Sequence, residues 1–339
     1  MRILQTILSK GFRGAERHVA ELANAQARRH EVLLLLRRDC ADGNGVSIRD
    51  WLDPAVRVET LRRPFWSWQA LTTVRRFRPD VVHAHGGRAS RLLPRVAGRV
   101  PVVSTIHLDY RHDSYKRVDG LICTTDWQRT GVSAGYRGRT ARIDLWYRPQ
   151  PRLAPDAVAR ERRALGGDGT GFVIGFVGHL IPAKGCDLLI EAFRRAALPD
   201  ARLVVVGDGP ERASLESTAP ADVHFTGFRG DARDLFQAFD LFVSPSRDEP
   251  FGLVFLEALD AGTPIVATRS QGAMALLPGY PAELVALDDV DALAAALRHA
   301  HAHRPPRYDA DLSRFDQDGR LAEIEAFYRD VIESRTSRS

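Results

Sequence analysis

The feature that most constrains this chain is an alternation, run through twice, of short Val-, Ile- and Leu-rich segments with stretches of helical periodicity. In the first half the apolar runs fall at residues 3–8, 32–36, 81–83, 102–106 and 120–123. Runs this short and this continuously apolar suit strands buried on both faces, which is the condition of a parallel sheet covered by helical crossovers. Between the first two runs, Ala15, Val19, Leu22, Ala23 and Gln26 recur at helical spacing on one face. A Pro-bearing segment at 148–155 interrupts the pattern and reads as a linker. The alternation then restarts, with apolar runs at 172–177, 202–206, 223–226, 241–243 and 265–267 and helical patterns over 186–196, 211–217, 232–239 and 252–261.

A chain of 339 residues exceeds what one hydrophobic core usually organises. The expectation is therefore an α/β protein of two Rossmann-like, doubly wound parallel-sheet domains facing across a cleft. Residues 1–150 would form the first, 151–317 the second, and a last helix at 318–339 would cross back to the first. Sheets of this kind bind ligands beyond the carboxyl ends of their strands, so the loops there are where chemistry is sought.

Charge is distributed unevenly along the chain. Residues 1–150 hold 27 Lys and Arg against 14 Asp and Glu, a net +13, whereas the remainder holds 21 against 29, a net −8, within an overall +5. The basic half suits an anionic partner, either a phosphorylated or acidic glycan, a lipid-linked acceptor or a membrane surface; no nucleic-acid motif accompanies the charge. Three scattered cysteines, Cys40, Cys123 and Cys186, fit buried thiols better than disulfides or a clustered metal site. No run approaches the ~20 apolar residues of a membrane span, and residues 2–8 read as a strand rather than a leader. The expected location is cytoplasmic, extending to the inner face of the membrane.

The most specific motif is Glu249-Pro-Phe-Gly-Leu-Val-Phe-Leu-Glu257, two carboxylates eight residues apart around a helix start. Eight helical residues place Glu257 about 12 Å beyond Glu249 on roughly the same face. Gly252 lets a ligand approach the unbonded amides of the helix terminus, where a diphosphate would be held. On spacing alone the two acids read as an ordinary helix-start carboxylate and a solvated one, since acids favour the first turn.

The longer stretch Ser244-Pro-Ser-Arg-Asp-Glu-Pro-Phe-Gly-Leu-Val-Phe-Leu-Glu-Ala-Leu-Asp-Ala-Gly-Thr-Pro-Ile-Val-Ala resembles the donor-site signature of glycosyltransferase family 4. The resemblance continues through Gly175-Phe-Val-Gly-His-Leu-Ile-Pro-Ala-Lys-Gly185, Val204-Val-Val-Gly-Asp-Gly-Pro210 and Phe225-Thr-Gly-Phe-Arg-Gly-Asp231. It implies a GT-B fold, retention of anomeric configuration, a nucleotide-diphosphate sugar as co-substrate, and no metal or other cofactor. Carried over by position, it implies that Glu249 contacts the donor sugar and Glu257 the ribose, that Phe251, Gly252 and Leu253 offer backbone amides, and that Lys184 neutralises the leaving diphosphate. Lys184 is one of only three lysines. Gly207, Gly209, Gly227 and Phe228 resemble walls of the nucleotide pocket. His179 departs from the pattern, standing where the family commonly has an Arg; a neutral imidazole clamps phosphate more weakly than a guanidinium.

In the first half, Gly11-Phe-Arg-Gly14 follows the first strand and opens a helix, a loop whose amides can face an anion. It resembles the family's glycine loop near donor phosphate and acceptor, with Gly14 the preferred residue and Gly11 second. His107 closes the run 102–107 at a strand's carboxyl end and resembles the family's histidine beside the donor sugar. His83-Ala-His85 offers two ligands on one strand face without an evident third, which favours a structural or acceptor-side role. Three Asp-x-Asp patterns, at 289–291, 309–311 and 316–318, are read as a helix cap and polar loop rather than metal sites. Residues 62–68, Arg-Arg-Pro-Phe-Trp-Ser-Trp, read equally as a membrane-facing patch or a packed loop.

The expected reaction is transfer of a sugar with retention, in which His107, Lys184 and Glu249 carry the catalysis, for cell-envelope polysaccharide or lipopolysaccharide core synthesis. A hydrolase, epimerase or phosphorylase on the same architecture is the alternative enzyme class, because a fold does not fix a reaction. A sugar-binding protein without catalysis is the non-enzymatic alternative.

Overall fold

The structure is a computed structural model that describes residues 1–43, 45–165 and 171–337. Strands β1 (Arg2–Ile7), β2 (Glu31–Arg37), β3 (Arg57–Leu61), β4 (Val81–His85), β5 (Val102–Ile106), β6 (Gly120–Cys123) and β7 (Arg139–Arg142) form one sheet. Strands β8 (Phe172–Val177), β9 (Ala201–Val206), β10 (Val223–Gly227), β11 (Leu241–Ser244), β12 (Ile265–Thr268) and β13 (Ala282–Val285) form a second. Every pairing is parallel. The chain divides into two compact units, Met1–Trp146 with Phe315–Ser339, and Tyr147–Arg314.

The strand orders are β3-β2-β1-β4-β5-β6-β7 and β10-β9-β8-β11-β12-β13. In each sheet the winding direction reverses once, between β1 and β4 in the first and between β8 and β11 in the second. At such a reversal the flanking loops part and leave a crevice over the strand ends. The loops that follow β1, β4, β8 and β11 are therefore the ones the topology makes available for a ligand.

The strands that the apolar pattern does not reveal are β3, β7 and β13, and each lies at a sheet edge. An edge strand is half solvated and needs no continuous apolar run, as Arg-Thr-Ala-Arg in β7 illustrates. The inner strands β1, β2, β4 and β5 are buried almost throughout.

The last helix, Gln317–Thr336, packs within the first unit. Its Leu321, Ile324, Phe327, Tyr328 and Val331 join Ile3, Val81, Val103, Ile122 and Trp146 in one core cluster. Each fully buried side chain of this size contributes about 1.5–3 kcal/mol. Asp316, expected in a polar loop, instead caps this helix by accepting from the Gly319 amide at 2.7 Å. Asp289 caps helix Val290–His303 through the Ala292 amide at 2.8 Å.

Candidate active site

In the second unit the β8 loop ends in a single 3-10 turn, Pro182–Lys184. The Ala183 carbonyl accepts from the Arg247 and Asp248 amides at 2.9 and 3.1 Å, which clamps that turn to the loop following β11. Arg247 reinforces the clamp, donating to Asp187 at 2.8 and 2.7 Å and to Asp288 at 2.6 Å. The turn is thereby aimed so that Lys184 Nζ donates to Glu249 Oε2 at 2.6 Å, in a half-buried ion pair.

Glu249 stands four residues before helix Leu253–Asp260. Gly252 caps that helix at φ +93°, a left-handed conformation that side chains resist, and a Cβ there would collide with the Phe255 ring. The helix start consequently carries no capping side chain; the Phe255 amide donates to the Gly252 carbonyl at 2.9 Å, and the Leu253 and Val254 amides precede the first intrahelical acceptor. Gly272 closes over the same loop, its amide donating to the Glu249 carbonyl at 2.6 Å; a Cβ at Gly272 would meet the Phe251 and Glu249 carbonyls. Glu257, one turn into the helix, is 7% exposed and faces Arg233 Nε at 3.4 Å.

The remaining residues line neighbouring loops. His179 is half-buried, two residues beyond the end of β8. The Leu180 amide donates to the Asp208 carbonyl at 3.0 Å, which draws the Gly207–Gly209 turn alongside, and the Gly207 amide donates to the Gly227 carbonyl at 2.9 Å. Phe228, just beyond, is exposed. Phe251 is buried and Leu253 half-buried.

In the first unit Gly14 opens helix Gly14–Ala27 and is exposed. The preceding loop is pinned by the Gly11 amide on the Cys40 carbonyl at 2.8 Å and by Glu16, which accepts from the Ser9 hydroxyl and from the Arg13 amide. One turn on, His18 lies edge-on to His107, ring centroids 5.7 Å apart. His107 follows β5 and pairs with His85, the last residue of β4, Nε2 to Nδ1 at 3.2 Å. His83 is fixed on both nitrogens, by the Tyr328 hydroxyl at 2.6 Å and the Thr105 hydroxyl at 2.8 Å.

Burial keeps these rings neutral. It pushes His107 down to about 4 and, with the nearby His107, His83 down to about 3. His18 and His85 also fall well below the ordinary imidazole range, through burial first and then their histidine neighbours. His107 is thus a neutral hydrogen-bonding group rather than a cation. The cysteines are buried, and burial raises the Cys123 thiol to about 12. Among the described residues no group of three or more His, Cys, Asp or Glu is arranged to hold a metal, and no helix is long and apolar enough to cross a membrane.

Two features of each unit escape the sequence reading: His18 and the bonding role of His85 in the first, Arg233 and Gly272 in the second. His18 was recoverable, since it lies four residues from Gly14 on the same helix face. Arg233 and Gly272 reach the site by tertiary contact, which no spacing signals.

Residues 12–149 match the sequences described as Glycosyltransferase Family 4, and residues 171–303 those described as Glycosyl transferases group 1. The lipopolysaccharide core biosynthesis glycosyltransferase LpsE of Rhizobium meliloti (strain 1021) is 29% identical over 94% of this chain and 93% of its own. LpsD of the same strain, with the same description, is 32% identical over 84% of each chain. Among solved structures, Anabaena Alr3699/HepE in complex with UDP and glucose superposes with a TM-score of 0.83 at 23% identity, covering 97% of this chain and 100% of that one. Two parallel-sheet Rossmann-like units of this kind make up the GT-B fold. The chain belongs to the group 1, family 4 glycosyltransferases.

Proposed function

We propose that this glycosyltransferase moves a sugar, with retention and without a metal, from a nucleotide diphosphate to an anionic glycan or lipid-linked acceptor of the lipopolysaccharide core. The observation that carries the donor half of this reading is the Lys184–Glu249 pair beside the uncapped start of helix Leu253–Asp260. An ammonium and free helix amides at one point suit a diphosphate, and the adjoining carboxylate suits sugar hydroxyls. Glu257, one turn further, suits the ribose. Gly14, His179, Gly209, Phe228 and the Phe251 and Leu253 amides complete the donor contacts that family resemblance assigns.

The acceptor hydroxyl oxygen attacks the anomeric carbon from the face on which diphosphate leaves. The new carbon–oxygen bond forms as the bond to phosphate breaks, and the hydroxyl proton passes to the departing phosphate oxygen. Lys184, the helix amides and His179 meet the charge that develops on the leaving group, while His107 and Glu249 hold the sugar. Because the protein's own groups answer that charge, chelators should leave turnover unchanged.

The acceptor side rests on the net +13 of residues 1–150 and on the names of the two Rhizobium relatives. Phe65 and Trp68, 60% and 65% exposed beside Arg62 and Arg63, support peripheral contact with an anionic membrane at its cytoplasmic face. The test is a thermal-shift screen of nucleotide sugars, begun with UDP-glucose because the HepE structure holds UDP and glucose. A ligand at 100 times its dissociation constant adds about 2.7 kcal/mol of apparent stability. Stabilisation by one donor, followed by NMR of a product whose anomeric configuration matches the donor's, is expected; free sugar or an epimer as product would replace transfer with the hydrolase or epimerase reading.

A further inference from the structure

His85 and His107 end adjacent parallel strands. His85 pairs with Thr105 in the β4–β5 register, and His107 lies two residues beyond Thr105. Their rings are inclined by only 29°, and the 3.2 Å separation of His85 Nδ1 and His107 Nε2 is a hydrogen bond that one of them must donate. Which one does so fixes the tautomer of both rings. The opposite nitrogen of His85, Nε2, is buried and has no hydrogen-bond partner among the described residues.

Two arrangements are chemically available to neutral rings. If His107 donated, the buried His85 Nε2 would carry a hydrogen with no acceptor. If His85 donates, that nitrogen is a bare lone pair. Orphaned buried N–H groups are the rarer case, and an unmet acceptor is better tolerated. His85 is itself immobilised: it is 2% exposed, its ring lies 4.1 Å from that of His83, and His83 is held by hydroxyls on both sides.

We infer that His85 is a positioning residue that donates from Nδ1 to His107 Nε2 and thereby locks His107 in the Nδ1–H tautomer. The half-buried His107 ring then presents a donor, not a lone pair, to whatever oxygen it meets. That donor suits a sugar hydroxyl or ring oxygen acting as acceptor. The assignment deepens the proposed function, on whose placement of His107 beside the donor sugar its catalytic consequence rests. The tautomer itself is independent of that placement.

The experiment is long-range proton–nitrogen NMR on protein carrying 15N-histidine, with the His107 ring assigned by its loss in His107→Asn. The wild-type ring is expected to show the Nδ1–H pattern; an Nε2–H pattern overturns the inference whatever the protein transfers. His85→Leu is expected to convert His107 toward Nε2–H and to lower kcat about tenfold with donor KM nearly unchanged. His85→Asn, which keeps a side-chain donor near the Nδ1 position, is expected to restore both. A His85→Leu protein that retains the wild-type tautomer and turnover refutes the positioning role, and if that variant fails to fold the wild-type spectrum still decides. An Nδ1–H ring in a protein that transfers no sugar would sink the proposed function and leave the hydrogen bond standing.

Discussion

Lys184 Nζ and Glu249 Oε2 lie 2.6 Å apart, a cation and an anion from different loops holding each other where a charged ligand is proposed to enter. Each group is kept extended by the other and by the Ala183 clamp beneath, so neither has to be ordered when a donor arrives. Binding then exchanges one ionic partner for another.

Replacing Lys184 with Ala should lower turnover about 100-fold or more, the loss typical of removing one charge-stabilising group from a transition state. Steady-state kinetics beside a urea melt would check it. A variant that is folded and nearly as fast as wild type removes Lys184 from the mechanism.

Glu257→Gln should weaken nucleotide binding by roughly tenfold, since hydrogen bonds to a charged group contribute about 1.5–3 kcal/mol. Titration calorimetry with the nucleoside diphosphate alone reads this without involving the sugar. Unchanged affinity would reassign Glu257 to a purely structural pairing with Arg233.

Gly252→Ala should destabilise the second unit by about 1–3 kcal/mol from the left-handed backbone alone, with the Phe255 collision adding to it. Chemical denaturation would show the shift. A variant of wild-type stability would mean that the helix start differs from the geometry described.

The four neutral histidines make the first unit acid-sensitive. Below about pH 6.5 an unfolded chain protonates rings that the folded core keeps neutral, so unfolding takes up protons and stability falls as pH drops. The loss from His107 runs down to about pH 4 and that from His83 to about pH 3, where each protonates in the folded state, and reaches about 1.4 kcal/mol per pH unit for each histidine. Denaturation midpoints measured at pH 5 and 7 should differ in that direction; a flat profile would show the cluster to be solvated.

Phe65→Ala with Trp68→Ala should abolish cosedimentation with vesicles rich in anionic lipid, and raising salt should weaken the wild-type interaction. Equal binding by the double variant would assign the patch to loop packing.

Much of this architecture was legible because inner parallel strands, buried on both faces, must be apolar throughout. The edge strands β3, β7 and β13 escaped for the opposite reason. The Glu249–Gly252 segment announced itself because a ligand-accessible helix start needs residues that are unusual in an ordinary turn. Arg233 and Gly272 did not, since one is an unremarkable helix residue and the other shows its necessity only once the Glu249 and Phe251 carbonyls are in place. The hydrogen bond joining His85 to His107 depends on strand order, which places β4 beside β5.

The return of helix Gln317–Thr336 to the first unit sets the order in which that unit can mature. A nascent chain that has emerged only as far as Trp146 lacks Tyr328, so His83 misses one of its two hydroxyl partners, and the cluster of Ile3, Val81 and Val103 lacks Leu321, Ile324, Phe327 and Val331. The half that is synthesised first is therefore finished last, and a stop codon near residue 315 would damage the amino-terminal core, the 168 residues of Tyr147–Arg314 and a whole second sheet away from the cut.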